Sequence, residues 1–171
     1  MTPELRSERL SLSPYAVSDE ADFVALFQDE AVGRWFGDGM QSEAADRELF
    51  GRIFSRVYAE GRFPVWAVRY EGRYAGHAEV KPSPESWLDG HEIVYGLTRE
   101  SWGLGLGTEL AGLLTSYGHE TLGLAEVHAT VDAENAPSLS VLKRLGYTQS
   151  RTVPEEGGTV TLQLTSRRTE G

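Results

Sequence analysis

The chain has 171 residues, with 16 Lys and Arg against 26 Asp and Glu and a formal net charge of −10, a length that suits one domain, 1–171, around one sizeable core. Its 40% hydrophobic and 25% charged residues, with 19 Gly and 7 Pro, exclude collagen-like and disordered composition, and its acidity argues against a nucleic-acid partner held by phosphate neutralisation. Cysteine is absent, which excludes disulfides, Cys-ligated metal centres and an acyl-cysteine intermediate. The opening Met1 to Arg6 lacks the apolar core of a signal peptide, and no stretch approaches the roughly 18 apolar residues of a membrane span. A soluble, cytoplasmic protein with no membrane partner is expected.

In chain order, Leu10, Leu12 and Tyr15 suggest a first strand, and Ser18 opens a helix with Phe23, Leu26 and Phe27 on one face. Ser42 reads as the N-cap of a second helix, in which Ala45, Leu49, Ile53 and Val57 recur at helical spacing until Gly61. Strands follow over 63–70 and 73–80, joined at Glu71-Gly72 in a hairpin, then a loop with Trp87 and a strand over 91–98. From Leu106 the period turns helical, with Leu110, Leu113, Leu114 and Tyr117 on one face and Gly123 as the stop. A strand around Val127, Ala129 and Val131, a helix over 137–145 and two strands near 147–152 and 159–164 complete the chain, leaving 166–171 as a flexible tail. This order predicts an α/β fold with a mixed sheet and flanking helices.

The segment richest in chemistry is Trp102-Gly103-Leu104-Gly105-Leu106-Gly107-Thr108, between a strand and an amphipathic helix. Alternate glycines permit positive φ and close approach of a ligand to the main chain, and their amides, with the unpaired N–H groups at the helix start, suit a phosphate anion. A purely structural turn is the bland alternative. A dinucleotide fingerprint fails, because the sixth position from Gly103 is Thr108, and a nucleoside-triphosphate loop fails for want of a lysine.

The motifs resemble those of the GNAT acetyltransferases, and within them the ribosomal-protein N-acetyltransferase-like branch (RimJ/RimL type). The matching runs are Glu92-Ile93-Val94-Tyr95-Gly96-Leu97, Trp102 to Glu109, Asn135-Ala136-Pro137-Ser138 and Leu142-Lys143-Arg144-Leu145-Gly146-Tyr147, preceded by Ser7-Glu8-Arg9-Leu10-Ser11-Leu12. The resemblance implies a GNAT fold whose largely antiparallel central sheet has splayed middle strands, and transfer of an acetyl group from acetyl-CoA to a primary amine by direct attack in a ternary complex. It implies that the diphosphate lies on the Gly103 to Thr108 amides, with Trp102, Leu104, Leu106 and Asn135 also at the cofactor. The pantetheine arm would pair with Tyr95, Gly96 and Leu97. Three departures are Val94 in the usual glycine slot, Leu104 in place of a frequent basic residue, and Ser150 near the position of a frequent glutamate.

Aliphatic amines arrive protonated, so the reaction needs a proton acceptor. Glu92 on the central strand suits that role through water, or is a strand carboxylate paired with a neighbour; Glu79, His77 and His128 are weaker candidates. Ser138 is either a first-turn serine or, as in the family, a hydroxyl near the coenzyme sulfur that protonates the leaving thiolate. Asn135 is an N-cap as well as a cofactor contact. Trp35, Phe36 and Trp87 fall where the family builds its acceptor pocket, or fill the core. Tyr147 reads as core, and Arg99 and Glu100 as solvated charges. The acceptor is a protein N-terminus or a small amine, and the resemblance also carries the expectation of a homodimer. Two other classes stay open: an acyl-CoA-binding sensor without turnover, and a structural protein without ligand.

Overall fold

The structure, a computed structural model, describes residues 1–169; the last two residues of the expected tail lie outside them. The chain forms two compact units, residues 1–79 with 95–106, and residues 80–94 with those from Gly107 onward. Among the described residues no helix is long and apolar enough to cross a membrane.

In the first unit, β1 (Leu5–Arg6), β2 (Leu10–Pro14), β3 (Val65–Tyr70), the start of β4 (Arg73–Pro82) and the end of β5 (His91–Leu97) lie in the order β1-β2-β3-β4-β5. The first four are successively antiparallel. The β3–β4 turn is the expected hairpin: Glu71 and Gly72 both have positive φ, +51° and +77°, the pair of left-handed residues that a tight two-residue connection needs. A 3-10 turn, Val17–Asp19, leads into α1 (Glu20–Gln28), followed by α2 (Glu30–Gly33), α3 (Glu43–Arg52) and a π-helical turn, Ile53–Tyr58. Tyr15, Phe23, Leu26, Phe27, Phe50 and Ile53 bury themselves over Val65 and Ala67, the apolar face that drives these helices onto the sheet.

The second unit carries the end of β4, the start of β5, β6 (Glu126–Asp132), β8 (Val160–Arg167) and β7 (Thr148–Pro154), in the order β4-β5-β6-β8-β7. Its helices are α4 (Leu106–Ser116), which begins at the last residue of the first unit and ends in a π-helical turn, Tyr117–Thr121, and α5 (Ala136–Arg144). Antiparallel pairing of β6 with β8 runs the length of β6, from Glu126↔Arg167 to Asp132↔Thr161, whereas its parallel pairing with β5 is at Glu92↔His128. Gly112 of α4 faces the residue that ends α5, a Cβ there standing at ordinary contact distance, 3.5 Å, from Leu145 Cδ2. The Tyr147 hydroxyl meets Thr115 Oγ1 at 2.7 Å, tying α4 to the buried aromatic that the sequence places in the core. The fold is the expected mixed, mostly antiparallel α/β arrangement with flanking helices.

Several local expectations shift. Ser42 caps α3, accepting from the Ala45 amide at 3.1 Å, but the buried face holds Asp46, Phe50 and Ile53, while Leu49 is exposed. β1 and α2 are additional elements. β8 extends through Ser166 and Arg167, residues the sequence reading leaves in the tail.

Candidate active site

The glycine-rich bend follows β5 directly. After a 3-10 turn, Arg99–Ser101, residues 102–105 are exposed and α4 starts at Leu106. Trp102 folds back so that its indole N–H donates to the Leu97 carbonyl at 3.0 Å. Gly103 and Gly105 have φ of +76° and +77°, a conformation that costs a side-chain-bearing residue about 1–2 kcal/mol. A Cβ on Gly103 would meet no heavy atom within 4 Å, and one on Gly105 would meet Arg9 Nη2 at 3.5 Å. Open backbone running into a helix start fits an anionic diphosphate. Of the other residues expected at the cofactor, Leu106 is buried with its side chain in the core, and Gly107 and Thr108 are half-buried in the first turn of α4.

The bend itself contains no basic residue, yet a basic side chain reaches it from elsewhere in the chain. Arg9 Nη1 donates to the Leu104 carbonyl at 2.7 Å, across 95 residues of chain. No local pattern announces a contact of that separation; the only signal was that Arg9 opens a strand whose motif resembles the family's.

At the end of β5, Tyr95 and Gly96 are half-buried and Leu97 buried. Gly96 lies under Phe36: a Cβ there would stand 2.5 Å from Phe36 Cζ. The same ring is 4.6 Å from Phe27 and 6.2 Å from the imidazole of His77, centroid to centroid. Thus an aromatic expected in the acceptor pocket and a strand residue expected at the pantetheine are brought together. Trp35, half-buried, has the Arg34 guanidinium 4.4 Å from its ring. Asp29 caps α2 and takes a forked pair of hydrogen bonds from Arg99 (Nη2 to Oδ1 at 2.6 Å, Nε to Oδ2 at 2.9 Å), so Arg99 is not the merely solvated charge expected. That fork holds the Asp29 carboxyl below the usual carboxylate range.

Beneath Phe36 runs a buried chain of polar groups. Tyr15 Oη meets Tyr74 Oη and His77 Nδ1, each at 2.8 Å, and His77 Nε2 meets Glu79 Oε2 at 3.1 Å. Burial holds the Tyr15 and Tyr74 phenols well above their ordinary range, so both stay protonated. The chain runs unbroken from Tyr74 through Tyr15 and His77 to Glu79, with both phenol hydroxyls able to donate or accept.

In the second unit Glu92 is buried at 5% exposure, and Oε2 accepts from Ser83 Oγ at 3.0 Å and Thr130 Oγ1 at 3.3 Å. Burial raises its carboxyl above the ordinary value, against the opposing pull of those hydroxyls and of Lys81. Beside it in register, His128 is held below its ordinary value by burial; its Nδ1 meets Thr165 Oγ1 at 2.8 Å, and Thr165 meets Ser150 Oγ at 3.1 Å. Ser150 therefore belongs to a polar stripe of hydroxyls and imidazole. Asn135 caps α5, its Oδ1 accepting from the Ser138 amide at 3.4 Å, and Ser138 is half-buried in the first turn. Trp87 is fastened from β7, where Arg151 Nη1 donates to its carbonyl at 2.8 Å and the guanidinium lies 5.4 Å from its ring. It belongs to the second unit, Trp35 and Phe36 to the first.

These groups offer an anion cradle, a buried carboxyl of raised proton affinity and a hydroxyl at a helix start. Residues 9–148 match the acetyltransferase (GNAT) domain family. The uncharacterized N-acetyltransferase YoaA of Bacillus subtilis (strain 168) is 27% identical over 154 residues, covering 86% of this chain and 84% of the relative. An acetyltransferase from Agrobacterium tumefaciens str. C58 superposes with a TM-score of 0.79 at 21% identity, covering 98% of this chain and 96% of the other. Mycobacterium smegmatis RimJ, solved in complex with CoA-disulfide, does so with a TM-score of 0.78 at 20% identity, covering 92% and 81%. Matched from Arg9 to Thr148, the chain belongs to the GNAT family and is an acetyltransferase.

Proposed function

We propose that the protein, acting as one catalytic domain, transfers the acetyl group of acetyl-CoA to a primary amine, and that a protein N-terminal amine is the acceptor class, as in the RimJ/RimL branch. The observation that carries the reading is the bend at Gly103 and Gly105, whose left-handed, side-chain-free backbone opens directly into α4. Acetyl-CoA would supply the activated acyl group as a thioester. The amides from Gly103 to Thr108 would hold its diphosphate, and the backbone of Tyr95, Gly96 and Leu97 its pantetheine arm. Trp102 orders the loop through Leu97, and Phe36, with Trp35 and Trp87, would shape the acceptor side.

Glu92 would take the proton from the attacking amine. Its raised proton affinity brings it closer to neutral pH, where a general base works best. Ser138 would relay a proton from water to the departing thiolate, its hydroxyl regaining from water the proton it gives, with Asn135 fixing the first turn on which it sits. The chain has no cysteine, so acyl transfer proceeds by direct attack rather than through a protein thioester.

The test is release of free CoA thiol from acetyl-CoA by purified protein with peptides bearing free N-termini and with small amines. Turnover with peptides supports the full reading, and turnover with small amines alone moves the acceptor class. Tight CoA binding without turnover across the panel would make the protein a sensor instead.

A further inference from the structure

We propose that Arg9 is a positioning residue of the diphosphate cradle, latching the Leu104–Gly105 peptide in the orientation that the bound diphosphate requires. The inference rests on the reading of the glycine bend as a CoA site.

A bend flanked by two glycines has a weakness as an anion site. Gly105 can adopt either sign of φ at little cost, so the peptide before it can flip. A flip would exchange an outward N–H for a carbonyl oxygen, a group of the wrong polarity for phosphate. The observed φ of +77° at Gly105 therefore needs a cause outside the bend. Arg9 supplies it: Nη1 donates to the Leu104 carbonyl at 2.7 Å, while Nη2 lies 3.5 Å from the position of a Gly105 Cβ. Because the peptide is planar and trans, its N–H points away from its oxygen. With the oxygen held at the guanidinium, the Gly105 N–H faces the opposite side of the bend.

The latch is itself anchored. Ser7 N–H donates to the Leu10 carbonyl at 3.0 Å, and Leu10 N–H to Ser7 Oγ at 3.2 Å, closing the turn that carries Arg9. Leu10 then enters β2, in register with Tyr70 of β3. Arg9 is thus presented by the sheet rather than by a free arm. Its forked guanidinium can hold an oxygen with one nitrogen and sit along Gly105 with the other, which a lysine ammonium cannot do.

The experiment is calorimetric titration of wild type, Arg9→Met and Arg9→Lys with CoA and with 3′-dephospho-CoA, beside thermal melts. Arg9→Met is expected to weaken both ligands by the same factor, about tenfold or ~1.4 kcal/mol, with Arg9→Lys in between and melting temperatures unchanged. Wild type failing to bind CoA would remove the reading of the bend itself. Wild type binding while Arg9→Met binds within about twofold of it would overturn the latch alone. So would loss confined to CoA, which assigns Arg9 to the 3′-phosphate, loss that Arg9→Lys does not partly restore, or loss that tracks a fall in melting temperature.

Discussion

Gly76 and Gly96 face the same strand pair, yet alanine at the two positions is expected to have very different effects. A Cβ on Gly76 would lie 2.2 Å from the Gly96 carbonyl oxygen and 3.1 Å from Leu97 Cα, both backbone. To restore ordinary contact the β4 and β5 backbones must part by about 1 Å, which disrupts neighbouring hydrogen bonds such as that from the Thr98 amide to the Ala75 carbonyl at 2.8 Å. Overpacking with buried bonds left unmade costs about 3–4 kcal/mol, offset by the roughly 0.5–1 kcal/mol that alanine gains over glycine in a strand. The net loss of about 2–3 kcal/mol lowers the melting temperature by roughly 5–10 °C for a chain of this size. A Cβ on Gly96 instead meets the far end of the Phe36 ring at 2.5 and 2.7 Å. Phe36 is half-buried and can turn, so Gly96→Ala costs about 1 kcal/mol or less. Thermal and urea unfolding of both variants decide the matter. Equal destabilisation, or an unshifted Gly76→Ala melt, would refute the distinction between backbone and side-chain clashes.

Glu92→Gln is expected to lower kcat by about 10²-fold or more while leaving CoA affinity intact; calorimetry and thiol release measure the two separately. Because burial raises the Glu92 pKa in the folded protein, this group binds more protons folded than unfolded, and its contribution to stability falls as pH rises from the ordinary carboxylate value through the raised one. Glu92→Gln should therefore gain melting temperature relative to wild type at pH 8 but not at pH 4, and a pH-independent difference between them would refute the assignment. Ser138→Ala is expected to slow transfer by about tenfold with little change in CoA binding; an unaltered kcat removes Ser138 from the chemistry. Gly105→Glu, which places charge and a strained φ in the cradle, should weaken CoA binding by about 10²-fold, roughly 2.7 kcal/mol, and unchanged affinity by titration would count against the site.

What the sequence made legible was set by local physics. Glu71-Gly72 and Ser42 act over a few residues, and so the hairpin and the cap could be read directly. The N-cap role of Asn135 and the core position of Tyr147 were legible for the same reason. α3 shows the limit of periodicity: Leu49 and Phe50 are both apolar neighbours, and the choice of which to bury was made by packing with Phe23 and Tyr15. α2 is only a single turn and carries too short a period to be seen. The contacts around the candidate site join distant segments: Arg9 to Leu104, Asp29 to Arg99, Phe36 to Gly96. None has a sequence signature, and Phe36 was placed near the acceptor only because the chain resembles a family that builds its pocket there.

The Tyr15 hydroxyl carries an obligation out of proportion to its size. It stands within hydrogen-bond distance of two neighbours at once, and so joins every link from Tyr74 to Glu79. Trimming that single oxygen, as in Tyr15→Phe, would strand two partners at once in a phenylalanine-walled interior where water has little access to replace it. Substitution in this core is therefore freer to exchange the aromatic walls than to touch the one atom on which the polar chain turns.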